Sequence, residues 1–332
     1  MRAIPAFGVA GNFTGHLEQA GEAADFVNVK TAEATAPKAL FPTYIPTPAE
    51  VRAAFSAIPA GTGPAGGTET AESGGTADAE SSAGTGAAAH QHPAESAESR
   101  RPVVVPAFLH CFPFDSRIII FPAGEEKLQI EPECAVIFDV CWQDDQVLLL
   151  TPRCFGASND CSIRRAGAKK ISEKKNWGTC SKGFAGHTIP LTRFRAGCEL
   201  AGYRIASFLI REGKVHPYGE DSPVSGYSYI WEKLTDWLVD RLNFQKDEGP
   251  AEDIHSYLVE AGMPGKILVS IGATRYTDYG ESTFLQDGDE SVIVLYPGAA
   301  YSADAILRKV EANDLTGPAN ADISALRQTV RM

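Results

Sequence analysis

Apolar and polar residues alternate with a period of two over residues 134–142. Cys134, Val136, Phe138 and Val140 share one face there, which predicts a half-buried strand. Residues 146–150, reached across Gln143-Asp144-Asp145, predict its hairpin partner. A second hairpin is predicted from 204–211 and 214–218, turning at Glu212-Gly213. Residues 116–121 (Ile118, Ile119, Ile120), 266–271 and 291–296 read as further apolar strands. A 3.6-residue period occurs over 229–243, where Ile230, Leu234, Trp237, Leu238 and Leu242 predict a helix. Shorter helices are predicted over 251–260, followed by Pro264-Gly265, and over 304–312, with Ser302 as its cap. Strands outnumber helices and do not alternate with them. The reading is therefore an α+β, β-rich fold with mixed sheets and a few helices, not a doubly wound parallel sheet.

One segment interrupts this pattern. Residues 60–99 include 29 Ala, Gly, Ser or Thr among 40, six acids, no Lys or Arg, and none of Val, Ile, Leu, Met, Phe, Trp, Tyr or Cys. Such a stretch cannot bury enough apolar surface to offset its ordering entropy, so it reads as a disordered acidic insertion. His90 and His92 within it read as solvated. The flanks, Phe41-Pro42-Thr43-Tyr44-Ile45-Pro46 and Val103 to Pro113, are each too short to fold alone and are expected to pair through later strands. Residues 1–59 thus form the N-terminal part of one domain and 100–316 the rest, with a weakly structured tail at 317–332.

The insertion carries half of the net charge of −12, so the remainder is only mildly acidic. Nucleic-acid binding is not expected. No stretch approaches the roughly 18 apolar residues of a membrane helix. Pro5 and Gly8 break the mildly apolar amino terminus, which reads as cytoplasmic rather than as a signal peptide. Seven cysteines without a CxxC argue against a disulfide framework and against structural zinc; they read as reduced and mostly buried.

Four pieces of sequence carry candidate chemistry. In Gln129-Ile130-Glu131-Pro132-Glu133, strand alternation points Glu131 and Glu133 the same way. Two carboxylates on one face repel unless a positive charge lies between them, and a hard divalent ion with oxygen ligands is the usual one. The plain alternative is a solvated face. Pro132, lacking an N–H, predicts an edge or a bulge. Asp160, after the small residues Gly156-Ala157-Ser158-Asn159, is a candidate third oxygen ligand or a turn cap. A cationic run follows it: Arg164, Arg165, Lys169, Lys170, Lys174, Lys175 and Lys182, opposed only by Asp160 and Glu173. Lys169, Lys170, Lys174 and Lys175 read as a solvated lid, whereas Arg164 suits a substrate carboxylate. In Gly11-Asn12-Phe13-Thr14-Gly15-His16, His16 is a candidate general base or a structural histidine.

In order and spacing these pieces resemble the fumarylacetoacetate-hydrolase family. Its G-x-N-Y-x-x-H, E-x-E, N-D-x-S-x-R, K-[SG]-[FY], glycine-turn and G-D elements are matched by Gly11 to His16, Glu131-Pro132-Glu133, Asn159 to Arg164, Lys182-Gly183-Phe184, Ile271-Gly272-Ala273-Thr274 and Gly288-Asp289. The resemblance implies a homodimeric enzyme that binds Mg²⁺ or Mn²⁺ through Glu131, Glu133 and Asp160. Lys182 would polarise a substrate oxygen with a lowered pKa, and His16 would be the base. Arg164 would support the site or meet a carboxylate, and Thr274 would supply the hydroxyl of the glycine turn. The implied substrate is a small anionic oxo acid or β-dicarbonyl compound. The implied reaction is C–C hydrolysis, decarboxylation or isomerisation through an enolate, as a hydrolase or lyase. The alternative is a non-catalytic metal- or ligand-binding protein on the same fold.

Departures from the family pattern are local. Gln19 stands where family hydrolases often place a glutamate beside the histidine. Glu22 reaches His16 only if the helix breaks at Gly21. Arg275 and Tyr276 after the glycine turn are unusual for the family, as is a spacing of five from Trp177 to Lys182.

Overall fold

The hairpin around Asp144-Asp145 is the longest paired element of the molecule. The computed structural model describes residues 1–56 and 103–332; the segment 60–99, with His90 and His92, lies outside the described residues. The strands are β1 (Ala6–Ala10), β2 (Ala39–Tyr44), β3 (Ile118–Ile120), β4 (Leu128–Gln129), β5 (Pro132–Gln143), β6 (Gln146–Asn159), β7 (Ser162–Ile163), β8 (Gly183–Phe184), β9 (Ile189–Pro190), β10 (Tyr203–Arg211), β11 (Lys214–Pro223), β12 (Lys266–Ala273), β13 (Glu290–Pro297) and β14 (Ser324–Arg331). The helices are α1 (His16–Gln19), α2 (Pro48–Ser56), α3 (Ser172–Lys175), α4 (Glu232–Phe244), α5 (Ile254–Glu260), α6 (Asp278–Ser282) and α7 (Ala303–Glu311). The class is α+β with mixed sheets, as the periodicity predicts.

A seven-stranded sheet runs β2-β1-β12-β5-β6-β8, with β9 also on β6. A five-stranded sheet runs β11-β10-β13-β14-β3, and β4 pairs with β7. The two larger sheets share one core, in which Val136, Phe138, Phe155 and Ala157 meet Ile205, Leu209, Ile293, Leu295, Leu326 and Val330. The apolar run of β13 has a simple cause: both of its faces are covered. Ile293 and Leu295 point into the shared core, while Val292, Val294 and Tyr296 pack on Ile306 and Val310 of α7. Ser302 caps α7, its Oγ accepting from Ala305 N at 3.2 Å. In α4, Leu234, Leu238 and Leu242 form a stripe that is fully buried, each worth about 1.5–3 kcal/mol of transfer free energy. Among the described residues no helix is long and apolar enough to cross a membrane.

Four expectations are corrected. The tail is not weakly structured: β14 lies between β13 and β3. Its buried face includes the polar Ser324 and Gln328, whose hydrogen bonds replace apolar packing and hide the strand from a hydrophobicity pattern. The small residues before Asp160 are strand, not turn. A Cβ on Gly156 would meet Ser324 Oγ at 3.1 Å and the Phe184 ring at 3.3 Å, so close packing selects glycine there. The flanks of the acidic segment meet directly rather than through later strands, with Ile45 N donating to Leu109 O at 2.8 Å and His110 Nδ1 bonding Ile45 O at 2.9 Å. Finally, only Cys134, Cys161 and Cys198 are buried; Cys111 and Cys141 are exposed, and all seven cysteines are free.

Glu252, just before α5, accepts a hydrogen bond from Ser172 Oγ at 3.0 Å, while its other oxygen is buried without a hydrogen-bond partner. Burial pushes its carboxyl from 4.5 up to about 7. A raised carboxyl pKa favours folding while the group is protonated. That contribution is whole below about pH 4.5 and is lost as pH rises through about 7. Wild-type stability should therefore fall by roughly 2–3 kcal/mol more than that of Glu252→Gln between pH 4.5 and 8, as read by urea unfolding at each pH. Parallel profiles for the two proteins would contradict this.

Candidate active site

Strand directions bring the candidate residues to one end of the seven-stranded sheet. β1 runs parallel to β12, β12 antiparallel to β5, and β5 antiparallel to β6. The ends of β1, β12 and β6 therefore lie beside the start of β5. The register aligns Ala273 with Glu133, Glu133 with Ser158, and Pro132 with Asn159. Pro132 is the first residue of an interior strand, where a missing N–H is tolerated, rather than at an edge. Asp160 N donates to Glu131 O at 3.0 Å, and Asn159 Oδ1 accepts from Glu131 N at 3.3 Å, which ties the two acidic stretches together. Asn12 closes the adjacent corner, donating to Ile271 O (2.7 Å) and Tyr229 O (2.9 Å) and accepting from Tyr229 N (2.8 Å).

Glu131, Glu133 and Asp160 converge. One oxygen from each lies within 4.8 Å of the others, and all three residues are 2% exposed. Glu131 Oε1 and both Asp160 oxygens have ion-pair neighbours but accept no well-aligned hydrogen bond. Glu133 accepts from Gly272 N at 2.8 Å. Burial, then Asp160 and Glu131, push the Glu133 carboxyl well above its usual range. Burial likewise raises Asp160, against Lys175 and Lys182. Glu131 goes the other way: burial raises it, but Lys175 and Arg164 outweigh that and hold it well below the usual range.

Lys182 and His16 each face one member of the triad, Asp160 and Glu131 respectively, and of the two only His16 lines the small cavity. Lys182 Nζ lies 3.1 Å from Asp160 Oδ1, donates to Cys161 O, and sits 5.1 Å above the Trp177 ring. Burial lowers its pKa against the pull of Asp160. His16 Nδ1 donates to Thr274 O at 2.8 Å, since a carbonyl can only accept. Its Nε2 then faces Glu131 Oε1 at 4.0 Å, and burial lowers its pKa, favouring the neutral ring. Thr274 meets His16 through its main chain, not its hydroxyl.

The other cations are arranged differently from the sequence reading. Lys174 and Lys175 are buried, both 3% exposed, and not part of a solvated lid; Lys169 is exposed and Lys170 pairs with Asp247. Lys175 Nζ donates to Glu131 Oε2 at 2.5 Å and lies 3.3 Å from Asp160 Oδ2, a pairing that outweighs burial and raises its pKa. Arg164 is spent on protein partners: Gln129 Oε1 (2.7 Å), Glu22 Oε1 (2.8 Å), Tyr276 OH (2.8 Å) and Glu131 Oε1 (2.7 Å). That leaves it a supporting place rather than one facing a substrate carboxylate.

Glu22 and Tyr276 are the residues sequence reasoning undervalued. α1 ends at Gln19, and Gly21, at φ 68°, turns the chain so that Glu22 points inward. Glu22 pairs with Arg164 and with Lys174 (3.0 Å), and these cations and Lys175 overcome burial to hold it at about 2. Gly21 was the available signal. Tyr276, 1% exposed, accepts from Arg164, donates to Ile130 O at 2.9 Å, and packs 5.3 Å from the His16 ring. Gln19 does not orient His16; its amide brackets the Tyr276 backbone.

The cavity lined by His16, Glu22, Glu131, Glu133, Asp160 and Lys175 measures about 10 Å³, room for one water or one ion. A larger cleft of about 510 Å³, lined by Phe121, Arg211, Phe284 and Met332 among others, contains none of these groups.

Removing a cation from this constellation strands buried charge. Arg164→Met should cost roughly 3–5 kcal/mol in urea unfolding, and adding Glu22→Gln should recover part of it. A loss under about 1 kcal/mol for the single variant would contradict the network described.

Comparison with solved structures gives distant likenesses. A protein designated Cg1458 is 15% identical at a TM-score of 0.41, the match covering 66% of this chain and 65% of that one. A 2-keto-3-deoxy-D-arabinonate dehydratase complexed with magnesium and 2,5-dioxopentanoate is 15% identical at 0.40, over 66% of this chain and 58% of that one. A 5-carboxymethyl-2-hydroxymuconate delta-isomerase from Mycobacterium smegmatis is 11% identical at 0.43, over 98% and 78%. This chain thus spans less than two thirds of the first two. Identity and overlap at this level leave the chemistry to be argued from the site itself. No curated protein matches. A family model described as "Family of unknown function (DUF5718)" matches residues 22–60 and 98–330, stopping and resuming at the bounds of the acidic segment. The match includes Glu22, the acidic triad and every cation around it, and starts after His16; the chain belongs to this family of unknown function.

Proposed function

We propose that this chain is a fumarylacetoacetate-hydrolase-like enzyme that acts on a small anionic oxo acid, with a divalent cation held by Glu131, Glu133 and Asp160. The observation that carries the reading is the meeting of three buried carboxylates within 4.8 Å, three of their oxygens ion-paired but without a well-aligned hydrogen bond, with Lys182 beside Asp160 and His16 beside Glu131. An all-oxygen, carboxylate-rich donor set suits Mg²⁺ or Mn²⁺. When bound, such an ion supplies Lewis-acid stabilisation of the charge that develops as an oxo acid becomes an enolate.

The chain's own groups supply the remainder. Lys182, desolvated and anchored on Asp160, is given the role of donating a proton or a hydrogen bond to a substrate oxygen, a reading supported by its lowered pKa. His16, fixed by the Thr274 carbonyl, presents a bare Nε2 that can take a proton. No carboxylate orients its Nδ1, because that nitrogen is committed to a main-chain oxygen. This favours proton-transfer chemistry, isomerisation or decarboxylation, over activation of a hydrolytic water. Arg164 acts at one remove, holding Glu131, Glu22 and Tyr276 in place.

A non-catalytic metal-binding protein is the second reading, favoured by a cavity of only about 10 Å³. Metal-depleted protein should be assayed on oxaloacetate and acylpyruvates with and without Mg²⁺ or Mn²⁺. The enzyme reading expects turnover that depends on the ion and falls at least about 100-fold in Glu133→Gln. Tight ion binding without turnover across the panel would support the binding protein, and turnover indifferent to chelator and to Glu133→Gln would sink the assignment of the triad.

A further inference from the structure

The ammonium of Lys175 lies against two of the three triad carboxylates. It is 2.5 Å from Glu131 Oε2 and 3.3 Å from Asp160 Oδ2, so it already occupies two of the three carboxylates. An ion bound to those same groups at roughly 2.1 Å would leave two positive centres a few ångströms apart in a dry volume. The formal charges of the buried cluster are also matched without any ion: Glu22, Glu131, Glu133 and Asp160 against Arg164, Lys174, Lys175 and Lys182.

We propose that Lys175 is a built-in counter-cation that competes with the metal for the acidic triad, so that its ion pairs and metal binding are mutually exclusive. This rests on the triad being a metal site, as argued above. The local chain has the means to release it. α3 is a single turn ending at Lys175, and glycines at positive φ, Gly167 (80°) and Gly178 (116°), lie on either side with open space around them. Ile171 and Lys175 also line the small cavity. Turning the Lys175 side chain out vacates Glu131 and Asp160, while Ser172 on Glu252 and Lys174 on Glu22 keep the rest of the turn in place. Lys175 thereby sets how tightly the site takes a metal.

The test is calorimetric titration of Mn²⁺ into the full-length, metal-depleted chain, its Lys175→Met variant and its Glu133→Gln variant, with thermal unfolding in chelator and in Mn²⁺. Lys175→Met should bind Mn²⁺ roughly tenfold or more tightly than wild type. It should unfold at a lower temperature than wild type in chelator and gain more from Mn²⁺. Should Lys175→Met not fold in chelator, Lys175→Arg, which keeps the charge, is expected to bind Mn²⁺ no more tightly than wild type, and tighter binding would overturn the proposal. Equal or weaker binding by Lys175→Met, with wild type binding and Glu133→Gln not, would overturn the role of Lys175 alone. No Mn²⁺ binding by either wild type or Lys175→Met would overturn the metal site and this proposal together.

Discussion

Matched charge in a desolvated volume is the constraint on which this molecule turns. Glu22, Glu131, Glu133 and Asp160 are withdrawn from water together with Arg164, Lys174, Lys175 and Lys182. Apart from Glu133, no member can be removed cheaply, because each leaves a partner charged and buried. The pKa directions follow from position within the cluster. Glu22 and Glu131, each touching two cations, are held low; Asp160 also touches two, Lys175 and Lys182, but burial outweighs them and raises it; Glu133, which touches none and accepts only from Gly272 N, is pushed high. Glu133 is thus the carboxylate whose ionised form most lacks a partner, and the one for which an added cation changes most.

The scaffold supports this arrangement by hydrogen-bonding the main chain around it. Asn12, Asn159, Ser158 and Gln328 satisfy main-chain groups of Ile271 in β12, Glu131 just before β5, Gly183 in β8 and Lys182 just before it. Gly183 lets Gln328 pass where a Cβ would lie 2.5 Å from its amide. Strand ends that frayed would admit water and relax the electrostatics. Ordered by these side chains, they hold acidic groups from two stretches at a fixed separation.

Much of the fold was legible in the sequence. The two hairpins, α4, α5 and α7 show their periods plainly, because one face of each meets a continuous apolar core. β1, β2 and β14 do not. Gly8 is there so that Phe41 can lie across β1, Pro42 is tolerated because β2 is an edge strand, and the inward polar residues of β14 are hydrogen-bonded rather than apolar. The site was legible to a similar depth. Glu131, Glu133, Asp160, Lys182 and His16 do gather, since motif order carries that information, although Glu131 lies in the link between β4 and β5 rather than in a strand. Burial of Lys174 and Lys175 was not readable: a lysine pair in a cationic run looks solvated, and only the partners, Glu22, Asp25, Glu131 and Asp160, distant in sequence, show otherwise.

On the reading proposed above, one small volume accepts either a lysine ammonium or a divalent ion. Anomalous diffraction from crystals of the full chain grown with Mn²⁺ would test this most directly. The expected result is a manganese peak bounded by Glu131, Glu133 and Asp160, with the Lys175 side chain displaced from them. A manganese-free triad, with Lys175 still bridging Glu131 and Asp160 at saturating Mn²⁺, would contradict it.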